Sequence, residues 1–293
     1  QAVIEGVMMR GARHYAVAVR DPRGQIVVHH EPLRSTASLS RVARLPLIRG
    51  MVALWSTLSL GMRALAFAAS VAMVDEEEGA APADKKANTS PLIGGSMAIA
   101  LIFAVGLFFL VPLLLTNLVG HQISSPLVSN LVENGLRLAL ILGYMIAIGR
   151  LAEVQRVFGY HGAEHKTINA YEAGVELTVP NVRRFSLIHP RCGTTFLLVV
   201  VVVSFFVFLL LGRPPLVGLI VSRVVLIPII AGLAFELIRL GATNYKHDFV
   251  RTLLAPGLAL QRLTTREPND TMIEVAIAAL HRVLAEEGAP VPL

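Results

Sequence analysis

One short polar stretch of the sequence contains the residue types that a metal site needs. His161 and His165 are four residues apart, with Glu164 between them, in the order His-x-x-Glu-His. On a helix, side chains at this spacing lie on one face, so two imidazoles can bind one divalent ion. Glu164 would lie near the same face, where it could orient a water molecule and act as a general base. The spacing therefore predicts a zinc site with His161 and His165 as ligands and Glu164 as the catalytic residue.

Further candidate ligands flank the two apolar runs that follow this motif. His189 and Cys192 come directly before the first run, and His247 and Asp248 come shortly after the second. Two consecutive membrane helices joined by a short turn return their ends to the same face of the membrane. We therefore predict that one or two of these four residues complete the coordination of zinc, which takes N, S and O ligands.

Each of these residues also has a simpler interpretation. The histidine pair could belong to an ordinary polar helix face, and Cys192 could be a small buried side chain or a nucleophile. His189 precedes Pro190 and could serve only as a cap or a hydrogen-bonding group. His247 and Asp248 could form part of a polar belt beside the membrane. Asp248 could also accept a proton from a ligand histidine without touching the metal.

The composition indicates an integral membrane protein. Of the 293 residues, 54% are hydrophobic and 16% are charged, whereas a soluble domain contains about 25% charged residues. The mean hydropathy is +0.64. The apolar residues are concentrated in runs that suit helices crossing a bilayer, with one run shorter than the others. These runs are 92–118, 136–148 (the shortest), 196–211 and 216–238.

Charge and cysteine content restrict the function further. The formal net charge of +6 fits basic residues on the cytoplasmic face of a membrane protein. Because the basic residues are not interleaved with aromatic ones, no nucleic-acid partner is expected. A single cysteine excludes an internal disulfide and gives no indication of an oxidising compartment. The first ten residues lack the apolar core of a signal peptide.

The distribution of basic residues predicts which segments face the cytoplasm. The segment 150–191 contains six lysines and arginines, whereas 118–135 contains none. The positive-inside rule places 150–191 and the C-terminus in the cytoplasm and, two spans earlier, 75–91 as well. If the N-terminus is also cytoplasmic, the apolar segment 45–74 enters and leaves on one side, as a re-entrant hairpin bent near Gly61 or as an interfacial helix. A single full crossing is the alternative.

The fold prediction is an α-helical polytopic membrane protein with about four transmembrane helices, a re-entrant or interfacial segment and a small N-terminal β-rich module. The module is predicted because two β-prone segments, 16–19 and 25–28, flank the turn sequence Asp21-Pro22-Arg23-Gly24. The predicted segments are a β-rich cytoplasmic module (1–33), a basic re-entrant or interfacial segment (34–74), a flexible acidic linker (75–91), a transmembrane hairpin (92–152), a cytoplasmic metal-site helix and loop (153–193), a second transmembrane hairpin (194–240) and cytoplasmic C-terminal helices (241–293).

Two charged residues lie inside the last apolar run. Arg223 and Glu236 are costly in a bilayer unless they are paired or face a polar cavity. They are too far apart along one helix to pair with each other. Glu236 could pair with Arg239, one turn later.

Three separated motifs resemble the YqhQ-like bacterial membrane proteins, a domain family of unknown function. They are the N-terminal stretch 1–11, the stretch Tyr160 to Lys166 around the histidine pair, and Pro190-Arg191-Cys192-Gly193-Thr194. The resemblance implies a bacterial inner-membrane protein with about four or five membrane segments, and the charge distribution predicts that both termini are in the cytoplasm. It does not imply an activity, so the metal site is predicted from residue chemistry alone.

Three functions are compatible with this sequence. The first is a membrane-embedded zinc protein, with the site at the cytoplasmic membrane surface, that hydrolyses a membrane peptide or a lipid-linked substrate. The second is a non-enzymatic assembly or scaffold factor for membrane-protein partners, in which a closed four-ligand metal site is structural. The third is a transporter, which has little support because the sequence shows no inverted-repeat symmetry. An oligomer could form a transport path without such repeats.

Overall fold

The computed structural model describes residues 1–33, 45–72, 91–119, 125–212 and 215–289, and these are mostly helical. The linker predicted at 75–91 lies outside the described residues except for its last residue. The helices are α1 (Ile48–Ala72), α2 (Pro91–Val105), α3 (Val111–Val119), α4 (Pro126–Ile148), α5 (Ala152–Glu172), α6 (Val179–Val182), α7 (Gly193–Leu211), α8 (Leu216–Val225), α9 (Ile227–Thr243), α10 (Asp248–Thr264) and α11 (Asp270–Glu287). A π-helical segment, Gly106–Leu110, joins α2 to α3.

Four antiparallel strands at the N-terminus form one sheet in the order β1-β2-β3-β4. The strands are β1 (Ala2–Val3), β2 (Gly6–Arg10), β3 (His14–Arg20) and β4 (Ile26–Pro32). The turn between β3 and β4 places Gly24 at φ +83°, a conformation that glycine adopts without strain. The Asp21 side chain accepts a hydrogen bond from the amide of Gln25 across this turn. The predicted β-rich module with its hairpin is therefore confirmed.

Helices cover both faces of this sheet. Successive residues of a strand point to opposite faces, so Val17 and Val19 pack against the C-terminal half of α1. Ala16 and Ala18 lie in a second core, which α5 and α11 complete. The N-terminal sheet, the helix with the histidine motif and the C-terminal helix therefore form one packed body.

Helix α1 is continuous through Gly61, so the structure contradicts the re-entrant hairpin bent there and is compatible with the two alternatives, an interfacial helix and a single crossing. Its C-terminal half, including Phe67, packs on the sheet. Its N-terminal end lies against α9, where a Cβ on Gly50 would approach the carbonyl oxygen of Gly232 to 2.8 Å. Beside this contact, the Arg49 guanidinium donates two hydrogen bonds to the Glu236 carboxylate. Glu236 therefore pairs with a residue on another helix. The pair with Arg239 that we predicted from the sequence is not formed.

Among the described residues, four helices are long and apolar enough to cross a membrane, namely Ile48–Ala72, Ala98–Leu118, Leu127–Ile148 and Gly193–Leu211. Helices α8 and α9 form a fifth candidate, bent by 44°. The bend coincides with Pro228 in the first turn of α9, because proline lacks the N–H that would continue the helical hydrogen bonds. The run predicted at 216–238 is therefore two helices with a bend between them, the form of a broken span or of a re-entrant loop.

The third of these candidate helices begins earlier than the sequence predicted. Helix α4 begins at Pro126, whereas the apolar run begins at Leu136. The intervening turns contain Asn130, Glu133 and Asn134, which lower the hydropathy. All three side chains are buried against neighbouring helices, so these turns belong to the packed helix and are not a polar loop.

Candidate metal centre

The His-x-x-Glu-His motif lies on α5 as the spacing predicted. The rings of His161 and His165 are on one face, with their centroids 4.3 Å apart. Helix α5 is held in place because Tyr160, Ala163 and Ala170, on its other side, are buried in the core with α11 and the sheet. A helix fixed on its apolar side presents both imidazoles in a defined direction.

Main-chain carbonyl groups orient both imidazoles. His161 Nδ1 lies 2.9 Å from the carbonyl oxygen of Thr264, and His165 Nδ1 lies 2.6 Å from that of Leu187. A carbonyl oxygen can only accept a hydrogen bond, so each Nδ1 must carry the proton. The lone pair of each neutral ring is then on Nε2, which is the arrangement found in metal-ligating histidines.

Cys192 lies opposite the histidine pair, at the N-cap of α7. Its Sγ accepts a hydrogen bond from the amide of Thr194, at 3.4 Å, and lies 3.4 Å from His161 Nε2. Burial alone would raise the pKa of the Cys192 thiol, but hydrogen bonds with the imidazoles of His161 and His165, and the positive charge of these rings when protonated, outweigh burial and lower the pKa to about 5. The thiolate is the form of cysteine that binds metals. Burial lowers the pKa of His161, yet its hydrogen bond with Cys192 and the nearby Glu164 raise it overall.

The three candidate ligand atoms fit one metal ion. One nitrogen of His161, one nitrogen of His165 and the sulfur of Cys192 all lie within 4.8 Å of one another. Tetrahedral zinc with Zn–N bonds of about 2.0 Å and Zn–S bonds of about 2.3 Å separates its ligand atoms by about 3.3–3.8 Å. The observed contact of 3.4 Å between His161 and Cys192 falls in this range. Two neutral imidazoles and one thiolate are also a ligand set that zinc prefers over magnesium or calcium.

Glu164 has a carboxylate oxygen available at this centre. Its Oε1 lies 2.8 Å from the main-chain nitrogen of Gln1. Its Oε2 is buried and has no hydrogen-bond partner among the described residues. A buried carboxylate oxygen without a partner is costly, and the position suits an acceptor for a water or substrate proton. The Glu164 side chain is 14% exposed, so its surroundings are not fully closed.

His189 lies beside the three ligands and not among them. Its ring centroid is 5.9 Å from that of His165, and its Nδ1 accepts a hydrogen bond from the amide of Arg191. Gln261 holds its backbone at both the amide and the carbonyl. Burial, together with the neighbouring His165, lowers the pKa of His189 and keeps the ring neutral. Its Nε2 makes no hydrogen bond with a described residue but lies 3.5 Å from a carboxylate oxygen of Glu172, so His189 is not one of the three ligands in this arrangement.

The structure does not bring His247 and Asp248 to the centre. They stand at the start of α10, whose other end, at Thr264, contacts His161. A helix of this length separates the two ends by about 24 Å. His247 and Asp248 are exposed, and Asp248 pairs with Arg251 on the same helix. The return of both spans to one side was therefore insufficient to predict their contact with the site.

Sequence reasoning missed several groups that support the centre. The carbonyl groups of Thr264 and Leu187 have no residue signature, because any residue offers a carbonyl. Gln261, which is fully buried, gave no signal either. Glu5 was included only within the N-terminal motif 1–11, yet it accepts hydrogen bonds from Arg156 and Tyr160 on α5. A glutamate directly before a glycine, between two β-prone segments, was the one signal that could have indicated it.

Gly162 permits the close approach that places the Thr264 carbonyl beside His161. A Cβ at this position would lie 2.1 Å from the carbonyl oxygen of Arg266, which is too short for any contact. We expect Gly162→Ala to push the segment after α10 away from α5, at a cost of about 2–3 kcal/mol in unfolding free energy. Thermal unfolding of the purified protein would measure this. The control is Gly193→Ala, because a Cβ there would have no heavy atom within 4 Å, and this variant should change stability little. Gly174→Ala is unsuitable as a control because Gly174 has a φ of +68°, which is strained for alanine.

Comparison with known proteins agrees with the motif resemblance. A family described as "Protein of unknown function (DUF1385)" matches residues 45–286, a range that contains all three candidate ligands. The chain is 36% identical over 300 residues to "Uncharacterized protein YqhQ" of Bacillus subtilis (strain 168), with 98% of this chain and 92% of that protein covered. No solved structure matches the chain. The resemblance to the YqhQ-like proteins is therefore confirmed, and neither description contains an activity.

Proposed function

The chain belongs to the DUF1385 family of proteins of unknown function, and from this premise we propose that it is a zinc-dependent hydrolase of the bacterial inner membrane. The zinc site lies at the cytoplasmic surface of the membrane, with His161, His165 and Cys192 as ligands. Its substrate is a membrane peptide or a lipid-linked molecule. The observation that carries this proposal is the convergence of three ligand atoms beside a carboxylate oxygen that has no partner.

The packing of the two termini supports the membrane placement. The N-terminal sheet packs against α5 and α11, so all three elements lie on the same side of the membrane. Between the sheet and α5, the segment α2 to α3 and helix α4 provide two crossings. A full crossing by α1 would add a third and separate the sheet from α5. Helix α1 therefore lies in the interface, where its exposed Trp55 and Leu58 contact lipid.

The charge distribution supports the cytoplasmic side. The segment 150–191 is basic, and the centre lies within it. Cys192 caps the first turn of α7, so the centre stands where this span leaves the bilayer. A substrate that is anchored in the membrane would reach the site without leaving the lipid surface.

The three-ligand geometry supports catalysis. Catalytic zinc sites use three protein ligands and keep one position open, whereas structural sites use four. When bound, zinc would polarise the scissile carbonyl or phosphoryl group of a substrate. Glu164 would accept the proton of the attacking water at Oε2 and later return it to the leaving group. The carbonyl groups of Thr264 and Leu187 keep both imidazoles in the ligating tautomer.

One observation favours the second candidate, a membrane-protein assembly or scaffold factor with a structural metal. His189 Nε2 makes no hydrogen bond within the described part of the chain and lies 3.5 Å from a Glu172 carboxylate oxygen, and its ring centroid is 5.9 Å from that of His165. A movement of the His189 side chain would supply a fourth ligand and close the site. Loss of metal on replacing His189 would support this function over the hydrolase.

Glu164→Gln distinguishes the two functions. The amide cannot accept the water proton, so we expect product formation to fall by at least about a hundredfold. Zinc content should stay unchanged because Glu164 is not a ligand. The protein would be reconstituted with zinc in vesicles containing total bacterial membrane lipid and membrane peptides. Products that appear with the native chain would be identified by mass spectrometry.

The matched control is Glu153→Gln, on the exposed first turn of α5. It removes the same charge from the same helix and should leave product formation at the native level. If the native chain, the Glu164→Gln variant and the zinc-free protein all give the same products, the hydrolase is excluded and the structural role stands.

A further inference from the structure

We propose that the interior of the helical bundle contains a second binding site, for one monoanionic oxyanion, between α4 and α8. The ligand is a carboxylate or a phosphate ester that contacts Arg223, Asn130 and Ser129. The inference rests on the membrane placement proposed above and does not depend on the metal centre.

The site adjoins a charged cluster in the apolar part of the molecule. The Glu133 carboxylate accepts hydrogen bonds from Arg137 Nη2, at 3.0 Å, and from Arg223 Nη2, at 2.9 Å. Their side chains are at most 1% exposed. Glu133 and Arg137 lie near the middle of α4, far from either end of the helix. Such residues in a membrane segment are rare and mark functional sites.

The charges of this cluster do not balance. It contains two guanidinium groups, on Arg137 and Arg223, and the single carboxylate of Glu133. The described part of the chain therefore leaves one positive charge in excess in a buried, apolar position. The ring of Phe208, 3.8 Å from Arg223 Cζ, compensates for only part of it. A buried charge without a partner is strongly unfavourable, and a bound monoanion would neutralise it.

Arg137 has no unused nitrogen for such a ligand. Its Nη1 donates to Asn134 and Ser204, and its Nε donates to the carbonyl oxygen of Phe108. Phe108 lies in the π-helical segment, where the change in hydrogen-bonding pattern frees carbonyl groups, as often occurs at functional sites. The ligand must therefore be bound through other donors.

The polar groups without a partner lie on the Arg223 side of the cluster. Arg223 Nη1, both polar atoms of the Asn130 amide and the Ser129 hydroxyl are buried without partners among the described residues. Ser129 and Asn130 are at most 1% exposed. They precede Glu133 by one helical turn and so share its face of α4. Because Arg223 binds Glu133 one turn away, its guanidinium lies beside the same face of α4.

The chemistry of these donors defines the ligand class. A guanidinium N–H, an amide N–H and a hydroxyl together match the oxygen atoms of a carboxylate or phosphate. The excess positive charge excludes a metal cation and favours a single negative charge. This anion could be the phosphodiester of a phospholipid or a small free anion, and both offer the same oxygen atoms.

The test measures anion binding to the full chain in nanodiscs of phosphatidylcholine. Inorganic phosphate is titrated in one arm, and phosphatidylglycerol replaces part of the lipid in the other. Binding is read from the rise in unfolding temperature and from calorimetry. All titrations are repeated with His161→Ala, which should respond as the native chain does. This arm separates phosphate bound at the metal centre from phosphate bound in the bundle.

The decisive variant is Asn130→Ala. The Asn130 side chain has no partner to lose, so the variant should fold at least as stably as the native chain. We expect its affinity for the anion to fall by about tenfold or more. The matched control is Asn134→Ala, four residues later, which loses contacts with Arg137 and Ser204. It should unfold at a lower temperature but keep its response to the anion.

Each outcome decides the proposal. A phosphate response that Asn130→Ala weakens supports a free anion as ligand. A response to phosphatidylglycerol alone, again weakened by Asn130→Ala, supports a lipid phosphate. If neither anion changes the unfolding temperature, or if Asn130→Ala responds as the native chain does, the site is overturned. A response that disappears only with His161→Ala would assign the phosphate to the metal centre and would also overturn it.

Discussion

Replacing His161 with alanine is expected to leave the purified protein without bound zinc. Structural zinc sites bind with about 10–16 kcal/mol, or about 2.5–4 kcal/mol for each of four ligands. Loss of one ligand from a set of three should therefore weaken binding by on the order of a hundred- to a thousandfold. The remaining imidazole of His165 and thiolate of Cys192 would not retain zinc through purification. The same result is expected for His165→Ala.

Elemental analysis of the protein purified in detergent would measure this effect. The native chain should carry about one zinc per molecule, and both histidine variants should carry close to none. His247→Ala is the matched control, because His247 was a candidate ligand in the sequence but lies exposed at the far end of α10. It should keep the native zinc content. A native chain without stoichiometric metal, or a His161→Ala variant with unchanged metal, would contradict the metal centre.

The histidine pair was predictable because its geometry is local. Four residues of helix fix the relative position of His161 and His165, whatever the rest of the chain does. The involvement of Cys192 required one further step, the return of two membrane helices to one side. That step restricted the candidates to residues near the same surface without fixing distances along it. Helix α10 carries Gln261 and Thr264 to the site, and its length leaves His247 at the other end.

The partners of the buried charges were not predictable in the same way. Arg223 pairs with Glu133, which is 90 residues earlier in the chain. Arg49 pairs with Glu236 over a separation of 187 residues. Such pairs depend on which helices pack together, and hydropathy carries no information about helix neighbours. Asn130, Glu133 and Asn134 are the reason that the first half of α4 was not predicted as part of the helix. They lower the mean hydropathy there, and a hydropathy average does not distinguish a buried polar residue from a loop residue.

Replacing Glu133 with glutamine is expected to be the most destabilising single change within the apolar part of the molecule. The carboxylate compensates two guanidinium groups, on Arg137 and Arg223, that are buried almost completely. Removing one partner of a buried ion pair costs about 3–5 kcal/mol, because the remaining charge is left without compensation. In a protein of this size, that corresponds to a fall of roughly 10 °C in unfolding temperature. The amide preserves shape, so a cavity cannot account for the effect.

Glu236→Gln provides the comparison that identifies the cause. Glu236 also pairs with one arginine, Arg49, but these side chains are 22% and 38% exposed. A pair that water can reach contributes about 1 kcal/mol or less, so this variant should unfold within about 3 °C of the native chain. Thermal unfolding of both variants in the same detergent would measure the difference. Equal shifts would mean that water enters the cluster around Glu133, since only a dry environment makes the loss of the Glu133 carboxylate more destabilising than the loss of the Glu236 carboxylate on α9.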